Sequence, residues 1–118
     1  MKGVIYEYIY VLPRGKADEF KSLCESIRLR PNITDKQFKE AGFTNYYEPI
    51  FYFCKGLACE DKYPVSFDIQ VVKETRKIKS IGVLDENFLQ PHFVNESLLN
   101  QIKSHVHKLV EYGILEVV

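Results

Sequence analysis

The chain has 118 residues, 46% hydrophobic and 27% charged, which predicts one globular domain over residues 1–118 with one hydrophobic core. Sixteen basic and sixteen acidic residues give a formal net charge of zero. This balance argues against a dedicated nucleic-acid or membrane-surface binder, because such proteins usually carry an excess of Lys and Arg. It also leaves little charge repulsion against self-association, so a homodimer stays open.

The cysteines and the N-terminal segment predict a cytoplasmic location. Cys24, Cys54 and Cys59 are odd in number and irregularly spaced, which is a poor framework for disulfides. Residues 1–13 lack the uninterrupted apolar core and the cleavage site of a signal peptide. No stretch approaches the roughly 20 apolar residues of a membrane span. We therefore expect reduced thiols and no membrane partner.

The N-terminal third predicts a strand followed by a helix. Residues 3–12 are rich in Ile, Val and Tyr, which predicts a central strand or one covered on both faces. From Lys16 the apolar residues recur three or four positions apart as far as Ile27, which is typical of an amphipathic helix. Pro31 is expected to end this helix.

A short helix and a second strand are predicted next. Thr34 and Gln37 have the spacing of a capping box, which predicts a short helix over residues 35–41. Residues 46–54 predict a strand, and Pro49 requires it to lie at an edge or to contain a bulge, since proline cannot donate to a ladder.

The clearest pattern in the chain lies in residues 65–84. Apolar and polar side chains alternate along residues 65–71, and apolar residues return after the polar turn at 74–77. Side chains of a strand point to opposite faces with a period of two, so this segment predicts a hairpin with one buried face. Ser66 and Asp68 are expected on the outer, polar face.

The C-terminal third predicts the longest helix. Asn95 is a candidate N-cap, an apolar stripe runs from Leu98 to Val110, and Gly113 is placed to close the helix. The apolar tail 114–118 is expected to pack on this helix or to add a final edge strand. The whole order predicts an α+β fold of two layers, in which an antiparallel sheet of four to five strands carries two main helices on one face.

The cysteines and histidines do not predict a metal site, a cofactor or thiol catalysis. Cys54 and Cys59 lie five positions apart, which is wider than the two to four of structural zinc sites. His105 and His107, two apart on a helix, point away from each other. Cys54 is expected on a buried strand face and Cys24 on the buried helix stripe, where thiols are inert.

Acid–base chemistry is the strongest enzymatic alternative. Glu7 stands in an apolar strand, Asp68 lies on the third strand, and Asp85, Glu86 and His92 share one connection. Carboxylates and an imidazole that converge at one end of a sheet would suit a small hydrolase or isomerase. Ion pairing and ordinary turn chemistry explain the same residues without catalysis.

Charge is unevenly distributed along the chain. The predicted hairpin tip, residues 73–79, carries four basic residues and one acid, which would suit RNA or phosphate but is more typical of a solvated turn. From Asp85 onward five acidic residues stand against two lysines. Patches of opposite sign favour a protein that docks on another protein, because complementary fields set association rate and partner choice.

Residues 78–91, with the sequence IKSIGVLDENFLQP, resemble segments of small uncharacterised bacterial cytosolic proteins. The overall plan, a short α+β domain rich in Tyr and Phe with free cysteines, resembles immunity proteins of bacterial contact-dependent growth inhibition and related toxin systems. The resemblance implies stoichiometric neutralisation of a cognate toxin. Many immunity proteins are acidic because their nuclease toxins are basic, so the zero net charge departs from that pattern and argues against a nuclease partner.

The sequence therefore predicts a non-enzymatic protein-binding domain, most concretely an immunity protein that occludes the active site of a bacterial toxin. The expected partner-binding residues are two aromatic anchors and four charges on the rim, namely Tyr46, Tyr47, Glu60, Asp61, Asp85 and Glu86. The alternatives are the acid–base enzyme and a homodimeric structural or regulatory domain.

Overall fold

The computed structural model describes residues 4–6, 8–46, 48–59 and 64–118. Its elements follow one another as β1 (Val4–Tyr6), β2 (Ile9–Val11), α1 (Ala17–Glu25), β3 (Ile27–Leu29), α2 (Asp35–Glu40), β4 (Ile50–Leu57), β5 (Val65–Val72), β6 (Lys77–Asp85), β7 (Gln90–Pro91), α3 (Glu96–Glu111) and β8 (Leu115–Val117). This is an α+β fold, as predicted. None of the described helices is both long and apolar enough to cross a membrane.

The main sheet has the strand order β1-β2-β6-β5-β4, and β7 extends it by pairing with β6. Every neighbouring pair is antiparallel except β2 and β6, which run parallel. The sheet is therefore mixed rather than wholly antiparallel. A parallel pair requires a long crossover, and the chain between β2 and β6 supplies one because it contains two helices and three strands.

The predicted single strand over residues 3–12 is wrong. The chain reverses between β1 and β2, which pair antiparallel with Tyr6 opposite Ile9. The hairpin has no Gly, Pro or Asn at its turn, so the usual turn signal is missing from the sequence. Glu7 lies outside the described residues. The central position is confirmed for β2, which stands between β1 and β6.

The first helix is shorter than predicted. It ends at Glu25, where the Ser26 hydroxyl donates to the Leu23 carbonyl oxygen at 2.7 Å, and the chain then enters β3. Pro31 is not what ends it. Strand β3 pairs with β8, the C-terminal tail, so one of the two predictions for the tail is confirmed. From the sequence, Ile27 fits both the end of an apolar helix stripe and a buried strand position. Pairing with β8, which is distant in sequence, makes it part of a strand.

Local signals placed the other elements well. The Thr34 hydroxyl accepts from the Gln37 amide at 3.2 Å, and the Gln37 side chain accepts from the Thr34 amide at 2.8 Å, which completes the predicted capping box of α2. Asn95 caps α3 by accepting from the Leu98 amide at 2.8 Å. The predicted hairpin is β5 and β6. Strand β4 starts at Ile50, later than predicted, and lies at the sheet edge.

The core lies between the helices and one face of the main sheet. Phe20 of α1 meets Phe67 of β5 edge-on at 6.3 Å, and Phe38 of α2 stacks on Phe51 of β4 at 4.5 Å. The strand register puts Phe67 on the same face as Lys55. We call the opposite face of the sheet the second face. Its residues in β4 and β5 include Tyr52, Cys54, Ser66 and Asp68.

Candidate functional site

A turn at residues 85–89 holds two apolar side chains out from the fold. The Asp85 carboxylate accepts from the amides of Asn87, at 2.9 Å, and Phe88, at 3.3 Å. The Leu89 amide donates to the Asp85 carbonyl oxygen at 2.8 Å. Leu89 has φ +53°, a left-handed conformation that is uncommon for a residue other than glycine. Side-chain and backbone hydrogen bonds therefore hold one specific shape.

The side chains at the tip of this turn are strongly exposed. Phe88 is 67% exposed and Leu89 is 76% exposed. Single apolar residues on a surface are ordinary, whereas two adjacent large ones on an ordered turn are typical of interaction sites. Neither Phe88 nor Leu89 was among the partner-binding residues predicted from the sequence. Their adjacency was the available signal, because two consecutive side chains in a tight turn rarely both reach the core.

A cavity of about 490 Å³ lies beside the 85–89 turn, and Asp85, Phe88 and His92 line it together with Arg14 and Phe93. His92, only 7% exposed, has its Nδ1 2.6 Å from the Phe93 carbonyl oxygen and its ring stacked on the Phe93 ring at 4.3 Å. The Arg14 guanidinium lies 4.6 Å from the centre of the same ring. Because a carbonyl oxygen only accepts, Nδ1 of His92 is the donor in this contact.

The cavity therefore brings together Asp85 and His92, two of the residues considered for acid–base chemistry. Asp68 is not among the residues that line it. Glu86 points elsewhere as well, since its carboxylate lies 3.8 Å from the Cys54 sulfur. The set considered from the sequence is thus divided over at least two places in the fold.

Asp68 forms a second polar cluster on the second face. Its carboxylate accepts from the Tyr52 hydroxyl at 2.7 Å and from the Ser66 hydroxyl at 2.6 Å. The prediction that Ser66 and Asp68 face outward is wrong, because both are fully buried. The alternation correctly divides the two faces, but it carries no information about what covers the second one.

Part of that cover is the ring of Tyr10, which lies across Gly82. Gly82 pairs with Tyr10 on one side and with Asp68 on the other. A Cβ atom at Gly82 would lie 2.4 Å from Cδ2 of Tyr10, so only glycine admits the ring there. Burial, followed by the charge of Asp68, raises the pKa of the Tyr10 phenol.

The phenols of Tyr10 and Tyr52, which lie near Asp68, both stay protonated at neutral pH. Burial and the hydrogen bond to Asp68 raise the pKa of the Tyr52 phenol. Partial burial raises the pKa of the Cys54 thiol. Cys54 is exposed, so the prediction that it lies on a buried strand face is wrong; it is the partner of Asp68 on the second face, at the edge strand β4. A thiol with a raised pKa is a poor nucleophile.

Tyr46 lies in another part of the fold. It is 83% exposed and lines a cavity of about 580 Å³ next to α2, which shares no lining residue with the cavity at Asp85. Tyr46, one proposed anchor, and Asp85, one proposed rim charge, therefore line different cavities. Tyr47, Glu60 and Asp61, the other predicted partner-binding residues, lie outside the described residues.

The cysteines, histidines, carboxylates and basic hairpin tip bear on metal, thiol and nucleic-acid chemistry. Within the described ranges, no three side chains among His, Cys, Asp and Glu stand close enough together to hold a metal ion. Cys24 is buried in α1, as predicted. At the basic hairpin tip, Arg76 pairs with Asp35 at 2.6 Å and Lys73 pairs with Glu48, so two of its cations are engaged within the chain.

These observations define an α+β protein with a mixed main sheet, a small second sheet and an ordered, apolar-tipped turn. No family model and no curated protein matches the chain. Its structure is similar to the crystal structure of a DUF1831 family protein from Lactobacillus plantarum, with a TM-score of 0.64, 15% sequence identity, and coverage of 78% of this chain and 86% of that chain. At this identity the similarity shows the fold alone.

Proposed function

We propose that the chain is a non-enzymatic protein-binding domain that docks through the 85–89 turn. Most concretely, it is an immunity protein that neutralises a bacterial toxin in the cytoplasm by covering its active site. The observation that carries the proposal is the adjacent, exposed pair Phe88 and Leu89 on a turn held by hydrogen bonds.

The size of the apolar tip is sufficient to anchor a complex. Complete burial of a Phe or Leu side chain contributes about 1.5–3 kcal/mol. With roughly 70% of each side chain still open to a partner, the two together offer about 3 kcal/mol, or on the order of 100-fold in affinity. The ordered turn adds to this, because little conformational freedom is left to lose on binding.

The charges beside the tip indicate the chemistry of the partner. Glu86 is exposed next to the tip, and Asp85 holds the turn through one carboxylate oxygen. We expect the partner to present an apolar pocket with Lys or Arg at its rim, since complementary charge raises the association rate and excludes wrong partners. The toxin is expected to be encoded next to the gene for this chain.

The test is a binding measurement by calorimetry between the purified chain and the protein encoded beside it. The double variant Phe88→Ala, Leu89→Gly removes the tip, and glycine tolerates the positive φ of Leu89. We expect about 100-fold weaker binding for this variant. Tyr112→Ala, which removes an exposed aromatic at the end of α3, is the matched control and should bind normally. No binding by the native chain, or equal loss in both variants, would refute the proposal.

A second candidate, the small acid–base enzyme, is favoured by one observation: His92 is oriented by the Phe93 carbonyl and lines a cavity together with Asp85. It requires turnover of a small ester or carbonyl substrate. His92→Asn should abolish that turnover in a protein whose circular dichroism spectrum still shows it folded, although loss of the buried, stacked ring is expected to lower the melting temperature. If the chain is only a binding protein, neither the native chain nor the His92→Asn variant should turn over such a substrate.

A homodimer formed through the 85–89 turn is a further alternative. It would appear as a doubled solution mass, and the double variant Phe88→Ala, Leu89→Gly would lose it.

A further inference from the structure

A cavity of about 240 Å³ lies where the end of α2, strand β4 and helix α3 meet. Its charged and titratable lining residues are Lys55 from β4, His105 and Lys108 from α3, and Glu40 from α2. One water molecule occupies about 30 Å³ of liquid, so this volume holds a phosphate group with a few waters. Ligand pockets for larger molecules usually start near 300 Å³.

The two lysines have no acidic partner in the described part of the chain. Neither Lys55 nor Lys108 forms an ion pair with a described carboxylate, in contrast to Lys16, which pairs with two. The Glu40 carboxylate lies 3.9 Å from the Lys36 ammonium nitrogen, so its charge is partly neutralised by Lys36. The Lys55 ammonium lies 5.5 Å from the centre of the Phe53 ring, a cation–π contact that holds it above an apolar surface.

The pKa of His105 shows that the electrostatic potential in this cavity is positive. Burial lowers its pKa, and the positive charges of Lys108 and Lys55 lower it further. Two cations that form no ion pair with a described carboxylate thus act on a partly desolvated site, where Coulomb energies are larger than in water. An anion in the cavity would relieve this repulsion. The imidazole could then add a hydrogen bond to it.

Gly42 forms part of the cavity wall beside Lys55. Its φ of +104° is a conformation that side chains rarely adopt, and the place of its missing Cβ lies 3.6 Å from the Lys55 ammonium nitrogen, an ordinary contact distance. The positive φ, rather than a lack of space, therefore favours glycine at this position.

We propose that this cavity binds a phosphate-type oxyanion between Lys55 and Lys108, with His105 as a third hydrogen-bonding group. The proposal is independent of docking through the 85–89 turn, because the residues involved are different. Phosphate carries the charge and the acceptor oxygens that two ammonium groups and an imidazole satisfy. The phosphate is either inorganic or part of a phosphate monoester.

The test is an NMR titration of the histidine side chains with inorganic phosphate at constant ionic strength. His107 is an internal reference, since it is exposed on the same helix and pairs with Glu111 at 3.2 Å. We expect a saturable shift at His105 and a phosphate-dependent rise in its pKa, with His107 unchanged. Titration with adenosine 5′-monophosphate is the second arm. Saturable binding of either probe supports the proposal, and the tighter one identifies the source.

Variants separate a specific site from general attraction of anions. Lys55→Met and Lys108→Met should each weaken phosphate binding at least tenfold. Lys103→Met, which removes an exposed cation of α3 that does not line this cavity, should leave it unchanged. Parallel, unsaturable shifts at His105 and His107, or equal weakening by Lys103→Met, would overturn the proposal. Each lysine side chain is exposed, so the variants are expected to fold.

Discussion

Gly82→Ala tests the packing of the second face of the sheet directly. The new Cβ atom would lie 2.4 Å from both Cδ2 and the carbonyl oxygen of Tyr10, and 2.5 Å from Cγ. Ordinary contacts between carbon atoms are about 3.5–4.0 Å. Rotation of the Tyr10 side chain relieves only the ring contacts. The carbonyl oxygen belongs to β2, so the strand itself must move away from β6.

The cost follows from these contacts. Overpacking a tight site costs about 1–3 kcal/mol, and the clash with a backbone atom points to the upper end of that range. Replacing glycine by alanine also reduces the freedom of the unfolded chain, which returns about 0.4–1 kcal/mol. We therefore expect a net loss of about 2 kcal/mol in the free energy of unfolding. Gly56→Ala is the matched control in β4, because no atom lies within 4 Å of its Cβ position.

Urea denaturation measures the difference between the two variants. With a slope of about 1–3 kcal/mol per molar, a loss of 2 kcal/mol lowers the midpoint by about 1 M. The midpoint of Gly56→Ala should stay the same or rise slightly. Gly82→Ala should also lower the midpoint when it is added to Tyr10→Ala, but by less than in the native chain, since only the contact with the carbonyl oxygen then persists. Equal midpoints for the two glycine variants would show that the Tyr10 ring does not cover Gly82.

Two further predictions concern the second face and the thiols. Asp68→Ala removes the acceptor of the buried Ser66 hydroxyl and of the half-buried Tyr52 hydroxyl, and should cost about 3 kcal/mol of unfolding free energy by urea denaturation, against about 1 kcal/mol for Tyr52→Phe; equal effects would contradict a shared acceptor. Mass spectrometry after treatment with a disulfide reagent should find Cys54 modified and Cys24 protected in the native protein. Because the pKa of Cys54 is raised, its thiolate fraction at pH 7 is below that of an ordinary thiol, so its rate should keep rising at a pH where an ordinary thiol has levelled off. A faster reaction than an ordinary thiol at pH 7 would contradict this.

Local patterns account for the elements that sequence reasoning placed correctly. The capping box of α2, the Asn95 cap of α3 and the hairpin of β5 and β6 each depend on residues that are close in sequence. A cap operates over three residues, and the alternation of a strand over two, so a short window contains the whole signal. Gly113 at the end of α3 has φ +78°, as a helix-closing glycine requires.

The candidate sites depended on contacts between distant segments. Asp85 was identifiable as a charged turn residue, but its position beside His92 and Arg14 arises only when the 85–93 connection packs against the chain after β2. The burial of Asp68 depends in part on Tyr10, from the far end of the chain, lying across Gly82.

The linear chain alone was sufficient for periodicity, helix caps and the division of each strand into two faces, because neighbouring residues decide these through backbone geometry. Which face is covered, where the N-terminal strand reverses and which strand pairs with the tail were decided by the folded structure. Strand pairing and burial are set by partners far away in sequence, such as β3 with β8, and local propensity does not encode them.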